Sequence, residues 1–143
     1  MPFTKILIHA VWGTKNRYPF LTPEKKQHLI IHIRENAKKK GIFITDINGW
    51  HDHLHCIISL NRDTTLSKTI QLIKGESSFW ANKEKLFETK FEWADEYYAV
   101  SISESQLQKV KDYIANQEIH HLNKTFLKEC EAFMEKYQSD EFG

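Results

Sequence analysis

The segment HDHLHCIISL, residues 51–60, constrains the fold more than any other stretch of the chain. Histidines recur at every second position and then give way to apolar residues, which is the pattern of a β-strand with two different faces. Such a strand presents the imidazoles of His51, His53 and His55 on one face. The opposite face carries the alternate residues Asp52, Leu54, Cys56 and Ile58. The sequence therefore predicts a sheet with one face buried under helices and another face that can hold a site.

Other segments favour β-structure as well, and helical segments separate them. We predict strands at residues 3–14, 42–47, 53–60 and 97–102. Asn48-Gly49 is a turn signal, so the second and third strands should form a hairpin. The order of elements is βαββαβ followed by two helices, which is the split βαβ pattern. We therefore expect one α+β domain over residues 1–143: a ferredoxin-like antiparallel sheet with two helices on one face, plus C-terminal helices.

Capping residues and apolar spacing define four predicted helices. The first begins with Thr22 as N-cap and Pro23 as the first helical residue, and ends before Gly41. The second follows the capping candidates at 63–65 and either continues through Gly75 or ends near it. The remaining signals are the capping box Ser103 and Gln106, the apolar stripe Leu107, Val110 and Ile114 of the third helix, and the amphipathic tail around 125–138.

Composition narrows the cellular setting and the class of partner. No apolar run approaches the roughly 20 residues that span a bilayer, and the first residues lack a secretory cleavage site, so we expect a cytoplasmic protein without membrane contact. Cys56 and Cys130 have no CxxC spacing, which argues against disulfides and cysteine zinc sites. Lys and Arg outnumber Asp and Glu by 12 to 5 in residues 1–75, whereas acidic residues dominate 76–143 by 14 to 8. A basic face for nucleic acid and a dipolar solvated surface both fit this asymmetry.

The paired histidines are also candidate metal ligands. Two neutral imidazoles that share a strand face can bind one divalent cation and leave positions open, as catalytic metal sites do. In the segment VKDYIANQEIHH, Gln117 is a possible third ligand, and Tyr113 lies one helical turn earlier as a possible nucleophile. The alternatives at this point are a tyrosine that only packs against the core and histidines that are simply exposed on a strand.

Several of these motifs together resemble the small single-tyrosine HUH transposases, the insertion-sequence two-hundred type, and their REP-associated relatives. The HUH element is His53-Leu54-His55, and the segments HAVWGTKNRYPFL, IQLIKGESS and FEWADEYYAVSISESQLQKVKDYIANQEIHH match in the family's order. The resemblance covers nearly the whole chain. His51 departs from the pattern, since the family more often has a proline there.

The resemblance implies an endonuclease and strand transferase that acts on single-stranded DNA through a 5′-phosphotyrosine intermediate. It implies that Tyr113 is the nucleophile and that His53, His55 and Gln117 bind Mg²⁺ or Mn²⁺. It also implies hairpin-containing element ends as substrate and a homodimer, although REP-associated relatives can act as monomers. The predicted DNA contacts are Lys15, Arg17, Tyr18, Trp50, Lys68 and Lys74, each of which can instead have a structural or solvated role.

Two other functions fit the same residues. The chain could be a domesticated relative that binds hairpin nucleic acid without cutting it. It could also be a hydrolytic metalloenzyme in which the histidines activate water and Tyr113 is structural. If Tyr113 is not the nucleophile, the remaining candidates are Tyr97, Tyr98 and Tyr137.

Overall fold

A computed structural model describes residues 2–117 together with Lys128, Glu131 and Glu135. It contains the strands β1 (Leu7–Gly13), β2 (Phe43–Trp50), β3 (His53–Ser59) and β4 (Tyr98–Ile102), and the helices α1 (Pro23–Lys39), α2 (Leu66–Lys83) and α3 (Leu107–Ala115). The predicted fourth helix falls almost entirely outside the described residues, as do Tyr137 and Cys130. In the part of the chain that the structure describes, no helix is long and apolar enough to cross a membrane.

The four strands form one antiparallel sheet in the order β2-β3-β1-β4. This is the strand order of the split βαβ pattern, so the predicted α+β, ferredoxin-like fold is confirmed. Strands β1 and β3 lie at the centre, and every residue of β1 is buried. A central strand is covered on both faces, which explains why the sequence of β1 is almost continuously apolar.

The two faces of the sheet pack against different helices. Helices α1 and α2 cover one face, and the main hydrophobic core lies between them and the strand residues Ile8, Ala10, Trp12, Ile47, Leu54, Cys56 and Ile58. Helix α3 covers the other face, where Val110 and Ile114 pack against Leu7, Ile57 and Ile102. The predicted apolar stripe of α3 is thus confirmed. The face that the sequence left open is covered at its centre by the helix that carries Tyr113.

The ends of α1 and α2 follow the predicted signals. Helix α1 begins at Pro23 after Thr22, and Gly41 beyond its end adopts φ +71°, a conformation that glycine adopts readily. Helix α2 begins after Thr65, whose hydroxyl oxygen accepts a 3.1 Å hydrogen bond from the Lys68 backbone N–H. Of the two predicted possibilities, α2 takes the longer one and continues through Gly75 to Lys83.

The predicted position of the hairpin turn is wrong. Strand β2 continues through Asn48 and Gly49, which pair with His55 and Leu54, and the chain turns two residues later. A Cβ on Gly49 would lie 2.0 Å from the His53 carbonyl oxygen. Glycine is therefore needed here because two strands approach closely, and not because the chain turns.

The later turn changes the positions of His51 and Asp52. Both lie in the turn, outside the strand, so neither continues the alternation that the sequence predicted. The backbone carbonyl of Asp52 accepts a hydrogen bond from the Thr14 N–H at 2.8 Å, which ties the turn to the end of β1.

The Ser103 side chain does not make the N-cap hydrogen bond that the predicted capping box requires. A short 3-10 turn, Glu104–Gln106, precedes the helix, and the Gln106 N–H donates to the Ser103 carbonyl at 3.1 Å. The Ser103 hydroxyl makes no capping bond and lies 2.9 Å from the Ser105 hydroxyl. The tighter backbone turn replaces the side-chain cap that the sequence indicated.

Candidate functional site

The two histidines of β3 lie on the α3 face of the sheet. His53 and His55 are both fully buried, and their ring centroids are 5.1 Å apart with nearly perpendicular planes. They share this face because side chains two residues apart on a strand point the same way. The predicted pairing of the two imidazoles is therefore present, under the end of α3.

The ring of His53 is held at one nitrogen by the preceding residue. Its Nδ1 lies 2.8 Å from Oδ1 of Asp52. A carboxylate only accepts hydrogen bonds, so Nδ1 carries a proton, and Nε2 is the ring nitrogen that can bind a cation. The turn that removes Asp52 from the strand thus places its carboxylate beside His53. A carboxylate behind a histidine is a common arrangement at metal sites.

The Gln117 side chain meets the other nitrogen of His53. Gln117 is fully buried, and its Oε1 lies 3.2 Å from His53 Nε2. Its Nε2 donates to the Tyr113 backbone carbonyl at 3.4 Å, which turns the amide oxygen toward the imidazole. The two atoms are within hydrogen-bonding distance, and an unprotonated Nε2 together with the amide oxygen could also bind one shared cation.

Tyr113 lies one helical turn before Gln117 and contacts the second histidine. The rings of Tyr113 and His55 meet edge to face, with centroids 5.7 Å apart. Tyr113 is partly exposed, while Ile114 beside it is buried. The structure therefore brings together, within one chain, all four residues that the sequence predicted for the centre of the site.

Contacts from β2 hold the carboxyl end of α3 in this position. The Asn48 side-chain amide donates to the Ile114 carbonyl at 3.0 Å, and it lies 3.5 Å from the Ala115 carbonyl. The last carbonyls of a helix have no partner within the helix, so Asn48 supplies one. Earlier in the helix, Lys111 Nζ is 3.7 Å from Asp46 Oδ1. These contacts explain why Tyr113 lies over the histidines of its own chain.

His9 is a site residue that the sequence interpretation missed. It lies on β1, is fully buried, and its Nε2 is 2.9 Å from Nδ1 of His55. The two rings are stacked with centroids 5.1 Å apart. A signal was present, because a buried histidine in an apolar strand needs a hydrogen-bond partner. A single histidine has no spacing pattern, however, and the pairing of β1 with β3 is a long-range feature.

The donor set suits a divalent cation with open positions. Two imidazoles and an amide oxygen converge, and both histidines are hydrogen-bonded at Nδ1. Among the described residues, no three His, Cys, Asp or Glu side chains are grouped as a metal site. A cation at this position would therefore depend on the Gln117 amide as its third protein ligand.

The three lysines predicted to contact DNA differ in their exposure and in their partners. Lys15 Nζ is 3.0 Å from Glu92 Oε2, and Lys68 is exposed near the start of α2. Lys74 donates to the Ala94 carbonyl at 2.6 Å and lies within hydrogen-bonding distance of two further carbonyls in that loop. Burial lowers the pKa of Lys74, and the nearby Asp95 partly opposes this shift. Lys68 and Lys74 belong to α2, on the sheet face opposite the histidines.

The other predicted DNA contacts follow the end of β1 or lie at the end of β2. Trp50 is paired with His53 across the hairpin and stacks on His51, with ring centroids 4.4 Å apart and planes within 8°. Tyr18 is 56% exposed and contacts Phe20. Arg17 lines a groove of about 220 Å³ together with Tyr98 and residues at the end of β1. Trp50 and His51 thus form a flat aromatic pair beside the buried imidazoles.

Two of the alternative tyrosines are also described. Tyr98 pairs with Val11, and Val11 pairs on its other side with His55, so Tyr98 shares the face that carries the site. Tyr97 is 40% exposed and lines grooves beside β4.

Comparison with known proteins identifies the family. The model of the family "Transposase IS200 like" matches residues 2–117. The ISDra2 transposase TnpA of Deinococcus radiodurans is 24% identical over 115 residues, which are 76% of this chain and 81% of the relative.

Two solved structures share the fold. A chain from Deinococcus radiodurans R1 assigned as a transposase superimposes with a TM-score of 0.63 at 22% identity, and the match covers 81% of this chain and 93% of that one. A REP-associated tyrosine transposase bound to a REP hairpin gives a TM-score of 0.64 at 18% identity, over 85% and 72% of the two chains. The family match over most of the sequence confirms the resemblance drawn from the HUH and tyrosine motifs: this chain belongs to the IS200-like transposase family.

Proposed function

We propose that this chain cleaves and rejoins single-stranded DNA with Tyr113 as the nucleophile. The phenolate oxygen attacks a phosphodiester phosphorus and forms a tyrosine–phosphate bond to the 5′ end of the strand that lies 3′ to the break. The bond from phosphorus to the 3′-oxygen breaks, and that oxygen leaves as a hydroxyl after it takes up a proton. The observation that carries the proposal is the convergence of Tyr113 and Gln117 on the two histidines within one chain.

The reaction conserves a phosphodiester bond. A free 3′-hydroxyl can attack the phosphotyrosine in the reverse direction and regenerate Tyr113, so no nucleotide cofactor is needed to rejoin the strand. Because an unperturbed phenol has a pKa of about 10, the tyrosine must lose its proton to a base during attack. The partial exposure of Tyr113 leaves its ring accessible to a DNA strand.

We also propose that His53, His55 and Gln117 bind Mg²⁺ or Mn²⁺. When bound, such a cation stabilises negative charge on the phosphate oxygens and on the leaving 3′-oxygen. Asp52 supports this role because it holds a proton on His53 Nδ1 and orients the ring so that Nε2 faces Gln117. The burial of both rings limits their movement before substrate binds.

For the substrate we propose a single strand with a hairpin near the cleavage position. The solved relative bound to a REP hairpin supports this choice of nucleic acid. The stacked pair of Trp50 and His51 offers a flat surface for a base next to His53. Arg17 and Tyr18 follow the end of β1, where Gly13 pairs with His53, and would contact the strand beyond this pair.

A homodimer remains a prediction from the resemblance. The described site is complete within one chain, and Asn48 fixes α3 on its own sheet. We therefore expect a single chain to supply both the histidines and the tyrosine. Mixing Tyr113→Phe protein with His55→Ala protein tests this, because restored cleavage in the mixture would require exchange of α3 between two chains.

The direct test uses single strands from the DNA that flanks the gene for this chain, incubated with Mn²⁺ or Mg²⁺. We expect a covalent protein–DNA adduct that survives denaturing electrophoresis, disappears with EDTA, and is absent in Tyr113→Phe. Tyr97→Phe is the matched control and should keep the adduct. Binding without any adduct would favour the domesticated binding module, and cut DNA that never becomes linked to protein would favour hydrolysis.

A further inference from the structure

His9 is fully buried in the centre of the sheet, yet it has no place in the proposed reaction. It pairs with Ile57 across β1 and β3, and its ring stacks on that of His55. The separation of 2.9 Å between His9 Nε2 and His55 Nδ1 is a normal hydrogen-bond distance. One nitrogen of each ring is therefore committed to the other ring.

The direction of this hydrogen bond determines which nitrogen of His55 can bind a cation. If His9 Nε2 donates, His55 has its proton on Nε2, and that nitrogen cannot act as a ligand. If His55 Nδ1 donates, the Nε2 lone pair of His55 is available to the site. In the two arrangements, the proton of each ring is on a different nitrogen. The total charge of the pair is the same in both.

The neighbouring histidine shows the second arrangement. Asp52 accepts from His53 Nδ1, so Nε2 is the nitrogen of His53 that can bind a cation. His9 occupies the corresponding position behind His55, but with an imidazole ring in place of a carboxylate. Tyr113 lies against the His55 ring and Gln117 faces His53, so both rings meet the same end of α3.

We propose that His9 is a positioning residue that accepts a hydrogen bond from His55 Nδ1 and keeps His55 in the tautomer with a bare Nε2. This inference rests on the proposed role of His55 as a cation ligand. His9 itself carries its proton on Nδ1 and touches neither cation nor DNA. It acts on the site by fixing the orientation and proton position of one ligand.

The first experiment reads the tautomer in the metal-free protein. Long-range proton–nitrogen NMR correlations on ¹⁵N-labelled protein, in mildly alkaline solution, distinguish a protonated ring nitrogen from a bare one. The spectrum of His55→Gln, which lacks that ring, assigns the His55 signals. We expect His55 to be protonated at Nδ1, and a His55 ring protonated at Nε2 would overturn the inference.

The second experiment compares two replacements of His9. His9→Leu removes the acceptor, so the His55 ring should populate both tautomers and affinity for Mn²⁺ should fall about 10- to 100-fold. His9→Gln keeps a carbonyl oxygen near the position of Nε2 and should recover most of that affinity. His28, exposed on α1, provides the control His28→Gln, which should bind Mn²⁺ as the wild type does.

These measurements separate the inference from the proposed function. If His55→Gln leaves Mn²⁺ binding unchanged, His55 is not a ligand and that part of the proposed function fails. The wild-type tautomer still tests the direction of the hydrogen bond without any metal, even if His9→Leu does not fold. A His9→Leu protein with the wild-type tautomer and affinity would show that His9 is only a packing residue.

Discussion

The two faces of the central sheet are both buried, but they are built from different side chains. Toward α1 and α2, β1 and β3 present apolar residues such as Trp12 and Leu54, which pack into a continuous core. Toward α3 the same two strands present His9, His53 and His55, each fully buried and hydrogen-bonded. A buried polar group costs free energy unless it is paired. The histidine face should therefore contribute less to stability than the apolar face, while its hydrogen bonds hold the candidate ligands in a fixed arrangement. One strand can therefore serve both stability and function because its faces alternate.

The sharpest comparison of the two faces uses adjacent residues of β3. Leu54→Ala should lower the free energy of unfolding by about 2–5 kcal/mol, because it leaves a cavity under α1 and α2. His55→Ala should cost about 1–3 kcal/mol, since it leaves the His9 nitrogen without His55. Urea unfolding measures both changes.

The DNA-cleaving activities of these two variants should differ completely. Under conditions where both are folded, Leu54→Ala should form the protein–DNA adduct at close to the wild-type rate, while His55→Ala should form none above background. Equal activity per folded molecule in the two variants would contradict the claim that one face of β3 contributes stability and the other contributes the site.

Substitutions at two glycines compare a tightly packed position in the sheet, Gly49, with an open position in a helix, Gly75. Gly49→Ala should destabilise the protein by about 1–3 kcal/mol, because the new methyl group meets the His53 carbonyl at 2.0 Å. Gly75→Ala should stabilise it by about 0.5–1 kcal/mol, since nothing lies within 4 Å and alanine favours a helix. Thermal unfolding of the two variants gives the signs directly, and a neutral Gly49→Ala would show that β2 and β3 do not approach as described.

The contact between β2 and α3 should have a smaller effect. Asn48→Ala removes the donor to the Ile114 carbonyl and should cost about 1 kcal/mol. Because α3 then loses a restraint near Tyr113, the adduct should also form more slowly. Thr45→Ala is the control on the same strand, where the hydroxyl makes only a 3.4 Å contact with the Ile57 carbonyl. If both variants react alike, Asn48 does not position the helix.

The smallest expected effect is the reactivity of the Cys56 thiol, which lies on the sheet face that α1 and α2 cover. Burial raises the pKa of its thiol, and the nearby Arg34 only partly opposes this shift. The thiolate is the reactive form, so Cys56 should not react with a thiol reagent until the protein unfolds. A Cys130→Ser background isolates this thiol. Rapid labelling of the folded protein would mean that the core between the sheet and α1 and α2 opens readily.

The sequence predicted the features that depend on local pattern. The order of elements, the Thr22-Pro23 helix start, the alternation of His53 and His55, and the helical spacing of Tyr113 and Gln117 all follow from neighbours a few residues apart. These patterns were enough to predict the fold and to identify His53, His55, Tyr113 and Gln117 as candidate site residues.

The features that the sequence did not predict depend on contacts between distant segments. Asn48-Gly49 is a local turn signal, but pairing with His55 and Leu54 extends β2 past it. The role of Asp52 follows from that later turn, and the contact of His9 with His55 requires the register of β1 against β3. Lys74 was predicted to contact DNA in the basic groove that the resemblance implies, and its bonds to the loop at Ala94 become apparent only in the folded chain.

The central claim is that Tyr113 forms the covalent bond to DNA beside His53 and His55. The most direct measurement is to digest the trapped protein–DNA adduct with protease and nuclease and to identify the modified peptide by mass spectrometry. We expect the phosphate on the peptide that contains Tyr113, with the nucleotide attached through its 5′-oxygen and a free 3′-hydroxyl on the released strand. A nucleotide attached to Tyr97, Tyr98 or Tyr137, or attached through its 3′-oxygen, would contradict the account.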